Sequence, residues 1–100
     1  MDFKSDARGD RLVIAISGVI TFDDHNKFRG ILNAIADSAA TTIEISLADT
    51  KMLDSAGVGM ILLANDRAKK ADKTLRLSGV TGHVAKVLEL SRIAQILPVD

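Results

Sequence analysis

Asp54-Ser55-Ala56-Gly57-Val58-Gly59 places an acid, a hydroxyl and two glycines between a β-like run, Thr42 to Leu47, and a long apolar segment, Met60 to Ala71. That order reads as strand, turn and helix, with the acid and the hydroxyl in the helix's first residues. A hydroxyl there faces unpaired backbone N–H groups and the positive end of the helix dipole. A phosphate attached to it would meet favourable electrostatics on the helix side. The same residues also suit plain capping by Asp54 or Ser55, the commonest use of such side chains at a helix start.

Other chemistry finds less support. Asp23-Asp24-His25 has the residue types of a metal cluster, but adjacent residues at a helix start point in different directions, and capping is the expected role. Ser55 lacks the Gly-x-Ser-x-Gly elbow of a nucleophilic serine, and only His25 and His83 could serve as a base. The chain has neither a Gly-x-x-x-x-Gly-Lys phosphate loop nor a Gly-x-Gly-x-x-Gly fingerprint. Neither a catalytic residue nor a metal or cofactor site is expected, and the chain does not read as an enzyme. Lys69, Lys70 and Lys73 form a cationic helix end that suits the dipole and needs no ligand.

Composition narrows the class. Thirteen Lys and Arg balance thirteen Asp and Glu, so no basic excess favours nucleic acid or an anionic membrane. Apolar residues make up 47% of the chain and aromatics only 3%, so the core must be built from Ile, Val, Leu and Ala. Without cysteine the chain offers no disulfide framework and no thiolate site. The first residues, Met1 to Asp6, lack an apolar signal region, and no apolar run approaches the roughly 20 residues of a membrane span, so a cytoplasmic protein without membrane insertion is expected. One hundred residues suit one domain, 1–100, with one core.

The elements that must position Ser55 alternate along the chain. Arg11 to Ser17 reads as a buried strand ending at Gly18, with Met1 to Arg8 as its pairing strand across a Gly9-Asp10 turn. Phe28, Ile31, Leu32 and Ile35 fall at helical spacing, with Asp23 or Asp24 as cap. Thr42 to Leu47 is the central strand, and a long helix follows from Ser55 to Ala71. Thr74 to Ser78 is a further strand, and Thr81-Gly82 opens a short helix carrying Val84, Val87 and Leu88. Ile96 to Val99 reads as an edge strand, where Pro98 is tolerated. Strands alternating with helices imply an α/β fold with a mixed sheet and crossover connections.

The long helix carries two apolar stripes. Val58, Ile61, Leu62 and Ala68 would pack on the sheet; Met60, Leu63, Ala64 and Ala71 form the second, either covered by a neighbouring helix or left as a docking face. Gly59 costs roughly 1 kcal/mol relative to Ala inside a helix. It sits one turn beyond Ser55, where a missing side chain lets another protein approach, and Gly57 would do likewise for the serine itself. The alternative is that close helix–sheet packing requires both glycines.

Met52-Leu53-Asp54-Ser55-Ala56-Gly57-Val58-Gly59, followed by Met60-Ile61-Leu62-Leu63-Ala64, resembles the central motif of the STAS family, named for sulfate transporters and anti-sigma factor antagonists. The likeness covers about Leu12 to Val99. It implies a mixed four- to five-stranded sheet with three to four helices packed mainly on one face. In regulatory members the serine directly after the aspartate is phosphorylated by a partner kinase, and Ser55 holds that position. Ala56 stands where many relatives carry a second Ser or Thr, leaving Ser55 as the motif's only hydroxyl.

The resemblance further implies a partner surface made of Asp54, Ala56, Gly57, Gly59 and Met60 with the loop residues Thr21, Asp23 and Asp24. That loop often reads Gly-x-x-Asp in relatives. Here Thr21 holds the matching position and the acids come slightly later. The loop through Phe28-Arg29 is similar to bacterial STAS regulators whose output is secretion, motility or biofilm. Arg92 replaces a glycine of the family segment Ser-Gly-Leu, so a tight turn there must be made by a non-glycine residue, or the helix must run further; Leu90 and Ile93 are expected in the core. The implied partners are a serine kinase or anti-sigma factor of the histidine-kinase-like ATPase family and a PP2C-type phosphatase, acting on a monomer or weak homodimer. Stand-alone STAS domains also serve as constitutive subunits of transport systems, including lipid-transport ABC complexes, which is the alternative.

Overall fold

A computed structural model describes residues 1–100. Seven main elements run in the order β1 (Asp2–Arg8), β2 (Arg11–Ile20), α1 (His25–Asp37), β3 (Thr42–Leu53), α2 (Ser55–Lys70), β4 (Thr74–Ser78) and α3 (Gly82–Leu90). Short 3-10 turns lie at Phe22–Asp24 and Ile93–Gln95. Gly9, at φ 61°, makes the left-handed step of the tight hairpin turn that folds β1 back on β2. β2 and β3 pair in parallel across the α1 crossover, and β3 and β4 across α2, giving a mixed sheet of order β1-β2-β3-β4.

One sheet face is apolar and the other polar. Leu12, Ile14 and Ile16 of β2 alternate inward with Ile43, Ile45 and Leu47 of β3 and Leu75 and Leu77 of β4. These residues join Phe28, Ile31 and Ile35 of α1, Ile61 and Ala68 of α2, and Val84 and Leu88 of α3 in one core cluster. The opposite face carries a hydrogen-bonded polar set: Arg11 Nη1 donates to Glu44 at 3.0 Å and Ser78 Oγ donates to it at 2.9 Å. The helices therefore lie mainly on one face, as expected. No helix is long and apolar enough to cross a membrane.

β3 is longer than the expected Thr42 to Leu47, and the reason lies in its register. Ala15 pairs with Ser46 but Ser17 with Asp49, and Gly18 pairs with Thr50 but Val19 with Met52. Each shift adds one residue to β3, so the buried positions step from Leu47 to Thr50 to Leu53 at intervals of three. Thr50 Oγ1 donates to the Ile16 carbonyl at 2.8 Å, using the side chain to complete a ladder that the first bulge interrupts.

Two C-terminal expectations change. The predicted edge strand from Ile96 to Val99 reduces to a single bridge between Leu77 and Val99, fixed by Leu77 N–H to the Pro98 carbonyl at 2.9 Å and Asp100 N–H to the Leu77 carbonyl at 2.9 Å. Pro98 has no N–H with which to extend that pairing. Ile93 is buried as expected, but Leu90 is 80% exposed. Leu90 sits two residues beyond the inward-facing Leu88, which turns it to the opposite side of the helix. Arg92 adopts the left-handed conformation, φ 55°, in the place of the family glycine, and so ends α3 at Leu90 rather than letting the helix continue.

Candidate functional site

The C-terminal ends of the parallel strands β2 and β3 set the site. Ile20 pairs with Leu53, the last pair of that ladder, and the Asp54 N–H then donates to the Ile20 carbonyl at 3.2 Å. The start of α2 is thereby tied to the start of the loop that follows β2. Asp54 is the N-cap: its carboxylate accepts from the Gly57 N–H at 2.8 Å, and its carbonyl accepts from the Val58 N–H at 3.1 Å. Ser55 is therefore the first helical residue and not the cap. It is exposed, and its hydroxyl makes no hydrogen bond within the chain. The N–H groups of Ser55 and Ala56 have no carbonyl four residues back within the helix, so they remain available beside that hydroxyl.

Across the seam, Thr21 and Asp24 close the loop on itself. The Asp24 carboxylate accepts from the Thr21 N–H at 2.9 Å and from its hydroxyl at 3.4 Å, while Asp24 N–H returns to the Thr21 carbonyl at 3.0 Å. The Thr21 N–H bond in particular holds the Asp24 carboxyl below the usual carboxylate range, so it is ionised at neutral pH. Asp24 thus folds the 3-10 turn before α1 and does not cap α1 with its side chain. Asp23 is exposed, and His25 Nδ1 lies 2.9 Å from the Phe22 carbonyl. These three side chains do not converge as a metal site would require.

Not every expected partner residue is free. Gly57 is buried: a Cβ built there would lie 2.8 Å from the Ile20 carbonyl oxygen and 3.0 Å from Leu53 Cβ. Its glycine serves close packing of α2 on the strand ends, not access to Ser55. Gly59 is the opposite case, exposed with open space where a Cβ would stand. Met60 is buried, as is Ala64, because α1 packs beside α2 and covers half of the second apolar stripe, while Ala71 is exposed. Of that stripe Leu63 stays 46% exposed. Asp54, Ser55 and Gly59 remain on the surface, and Ala56 and Thr21 are half-buried at the seam.

Two apolar residues at this end were not assigned to the partner surface from the sequence. Phe22 is 65% exposed and stacks on the His25 ring with centroids 4.9 Å apart; Met52 is exposed at the end of β3. The signal for Phe22 was a lone aromatic inside an acidic loop. For Met52 it was the motif's first residue, whose outward turn depends on the second bulge. Together with the ionised Asp24, the end carries exposed apolar surface rimmed by acids and a free hydroxyl, a composition suited to protein contact.

The family model described as "Mlab, STAS domain" matches residues 3–98. The chain belongs to the STAS domain family. A STAS-domain containing protein of Pseudomonas aeruginosa is 29% identical over 94 residues, covering 94% of this chain and 92% of that protein. The fold is similar to a candidate anti-sigma factor antagonist from Thermotoga maritima, with a TM-score of 0.86 at 16% identity over 97% of this STAS chain and 84% of that one. It is also similar to the unphosphorylated form of the anti-sigma factor antagonist SpoIIAA, with a TM-score of 0.71 at 21% identity over 99% of this chain and 87% of that one. The phosphorylated form of SpoIIAA, from Bacillus, gives the same TM-score of 0.71 over 99% of this chain and 91% of that one.

Proposed function

We propose that this STAS chain is a cytoplasmic, phosphorylation-controlled protein-binding regulator, itself not an enzyme, with Ser55 as the modified residue. The observation that carries the reading is the division of labour at the start of α2. Asp54 does the capping, which leaves the Ser55 hydroxyl exposed and unbonded beside free N–H groups. In the unmodified state a partner docks on Asp54, Ser55, Ala56 and Gly59 together with Thr21, Asp23 and Asp24. A serine kinase of the histidine-kinase-like ATPase family, itself the sequestering partner, transfers the terminal phosphoryl group of ATP to Ser55 Oγ, which loses its proton. A PP2C-type phosphatase hydrolyses that ester and resets the switch.

The added charge of about −1.5 to −2 falls next to Asp54, in a contact that is desolvated when the partner is bound. Weakening binding by about 2.8 kcal/mol is enough for a hundredfold release. The fold need not change, since the free N–H groups and helix dipole accommodate phosphate.

The test is a pull-down from native lysate with Ser55→Ala and Ser55→Asp baits. A kinase-like ATPase retained by the Ala form and lost by the Asp form is the expected result. Equal retention of the same partner by both would refute the switch, and if that partner were a transport ATPase it would establish the constitutive-subunit alternative.

A further inference from the structure

We propose that the groove between α1 and α2 docks an acidic amphipathic helix of a partner protein, at a surface that Ser55 does not line. The groove is about 410 Å³ and opens to solvent on one side. Its floor is apolar: Phe28 and Leu32 of α1 and Met60 of α2, all buried. Leu63, still 46% exposed, forms part of its wall. The charged lining is of one sign, Arg29 from α1 and Arg67 from α2, with His25 and Asn33 completing it and no carboxylate among the lining residues. In a chain with as many acids as bases, that is a local segregation of charge.

The two arginines are also uncommitted. Arg8 pairs with Asp6, Arg11 with Glu44 and Arg76 with Asp100. Arg29 and Arg67 have neither an ion-pair partner nor a side-chain hydrogen bond, although Asp66 lies directly before Arg67 and pairs instead with Lys70. A guanidinium presents a planar fork of donors matched to a carboxylate, so two free forks flanking an apolar floor specify apolar anchors with acids alongside.

The groove's walls decide the shape of the occupant. Both are helices, whose backbone groups are already paired internally, so the groove offers no ladder to an incoming strand. An extended peptide would bury unpaired N–H and C=O groups there, whereas a helix arrives with its own satisfied and presents anchors at i, i+3 or i+4, and i+7. A lipid surface is a poor match, because membrane-binding patches gather roughly four to eight cations and this rim has two arginines.

The probes are two fluorescein-labelled, hydrocarbon-stapled helical peptides sharing one leucine stripe, one flanked by glutamates and the other by lysines. Binding to the full chain is read by fluorescence anisotropy, and the site by backbone amide shifts. The glutamate peptide should bind at least tenfold more tightly than the lysine peptide, with shifts confined to His25–Asn33 and Met60–Arg67. The double variant Arg29→Glu with Arg67→Glu should invert the preference, and Arg29→Gln with Arg67→Gln should abolish it. Equal binding of the two peptides, no binding of either, or shifts elsewhere would overturn the proposal. Neither kinase nor phosphate enters the assay, so its failure leaves the Ser55 switch standing.

Discussion

Gly57 and Gly59 lie two residues apart in the first turns of α2, and replacing each by alanine should move stability in opposite directions. At Gly59 a Cβ meets nothing within 4 Å, so Gly59→Ala gains only the helix preference of alanine, about 0.5–1 kcal/mol. At Gly57 the same Cβ meets the Ile20 carbonyl oxygen at 2.8 Å, Leu53 Cβ at 3.0 Å and Ile20 Cγ2 at 3.3 Å. The first of these is backbone, and it is the oxygen that accepts the Asp54 N–H, so relief requires the helix start to lift from the sheet. Overpacking of this kind costs roughly 1–3 kcal/mol, and subtracting the alanine gain leaves Gly57→Ala roughly 1–2 kcal/mol less stable than the parent. The two variants should then melt roughly 10 °C apart, given about 4–8 °C per kcal/mol for a domain of this size. Thermal unfolding followed by circular dichroism, with urea midpoints as a second measure, reads this directly. A Gly59→Ala protein less stable than the parent, or a Gly57→Ala protein as stable, would refute the packing argument. Gly59→Ala has a second use: it should weaken partner binding while raising stability, which separates a docking role from a folding one.

Other perturbations follow from single contacts. Asp54→Ala removes the cap on the Gly57 N–H and should cost about 1 kcal/mol, whereas Ser55→Ala, at a hydroxyl without a partner, should stay within about 0.5 kcal/mol of the parent in the same melts. Asp24, whose carboxyl is held low chiefly by the Thr21 N–H, stabilises the loop fully above its unfolded-chain pKa of about 3.9; that contribution is lost as pH falls through the lower folded-state value. A carboxyl-carbon NMR titration should place Asp24 below that reference, and Asp24→Asn should flatten the acid limb of stability; titration at or above it would contradict the hydrogen-bond geometry. Arg92→Gly relieves a left-handed non-glycine residue and should raise stability by up to about 1 kcal/mol, an effect a urea titration resolves.

What could be read from the residues was whatever depends on near neighbours in the chain. The hairpin at Gly9-Asp10, the α1 stripe of Phe28, Ile31, Leu32 and Ile35, and the start of α2 at Asp54-Ser55 each rest on a period, a turn residue or a cap. The second half of β3 escaped because two bulges replace the alternation of two with steps of three, and polar Asp49 and Lys51 then look like a loop. Leu90 looked like core because its apolar side chain was weighed without the rotation that separates it from Leu88. The site divided in the same way. Asp54 and Ser55 were legible, while the burial of Gly57 and Met60 depends on where Ile20 and α1 come to rest, contacts between residues far apart in sequence.

The bulges that hid β3 also explain why a switch at Ser55 can remain local. β3 reaches Leu53 only by inserting two extra residues against β2, and Thr50 repairs the first interruption through Ile16. The result brings Leu53 level with Ile20, so that one carbonyl, Ile20, both receives the Asp54 N–H and packs against Gly57. The loop acids follow directly on one strand and the serine directly on the other. Their proximity is therefore set by main-chain bonds and a buried glycine contact, not by the side chains a kinase or partner would touch. A phosphate on Ser55 has no buried hydrogen bond of its own to break, because Asp54 already satisfies the helix start. The proposed modification would change the charge of a surface whose frame is held from below, so it should alter a partner's affinity and leave the stability of this chain nearly unaltered.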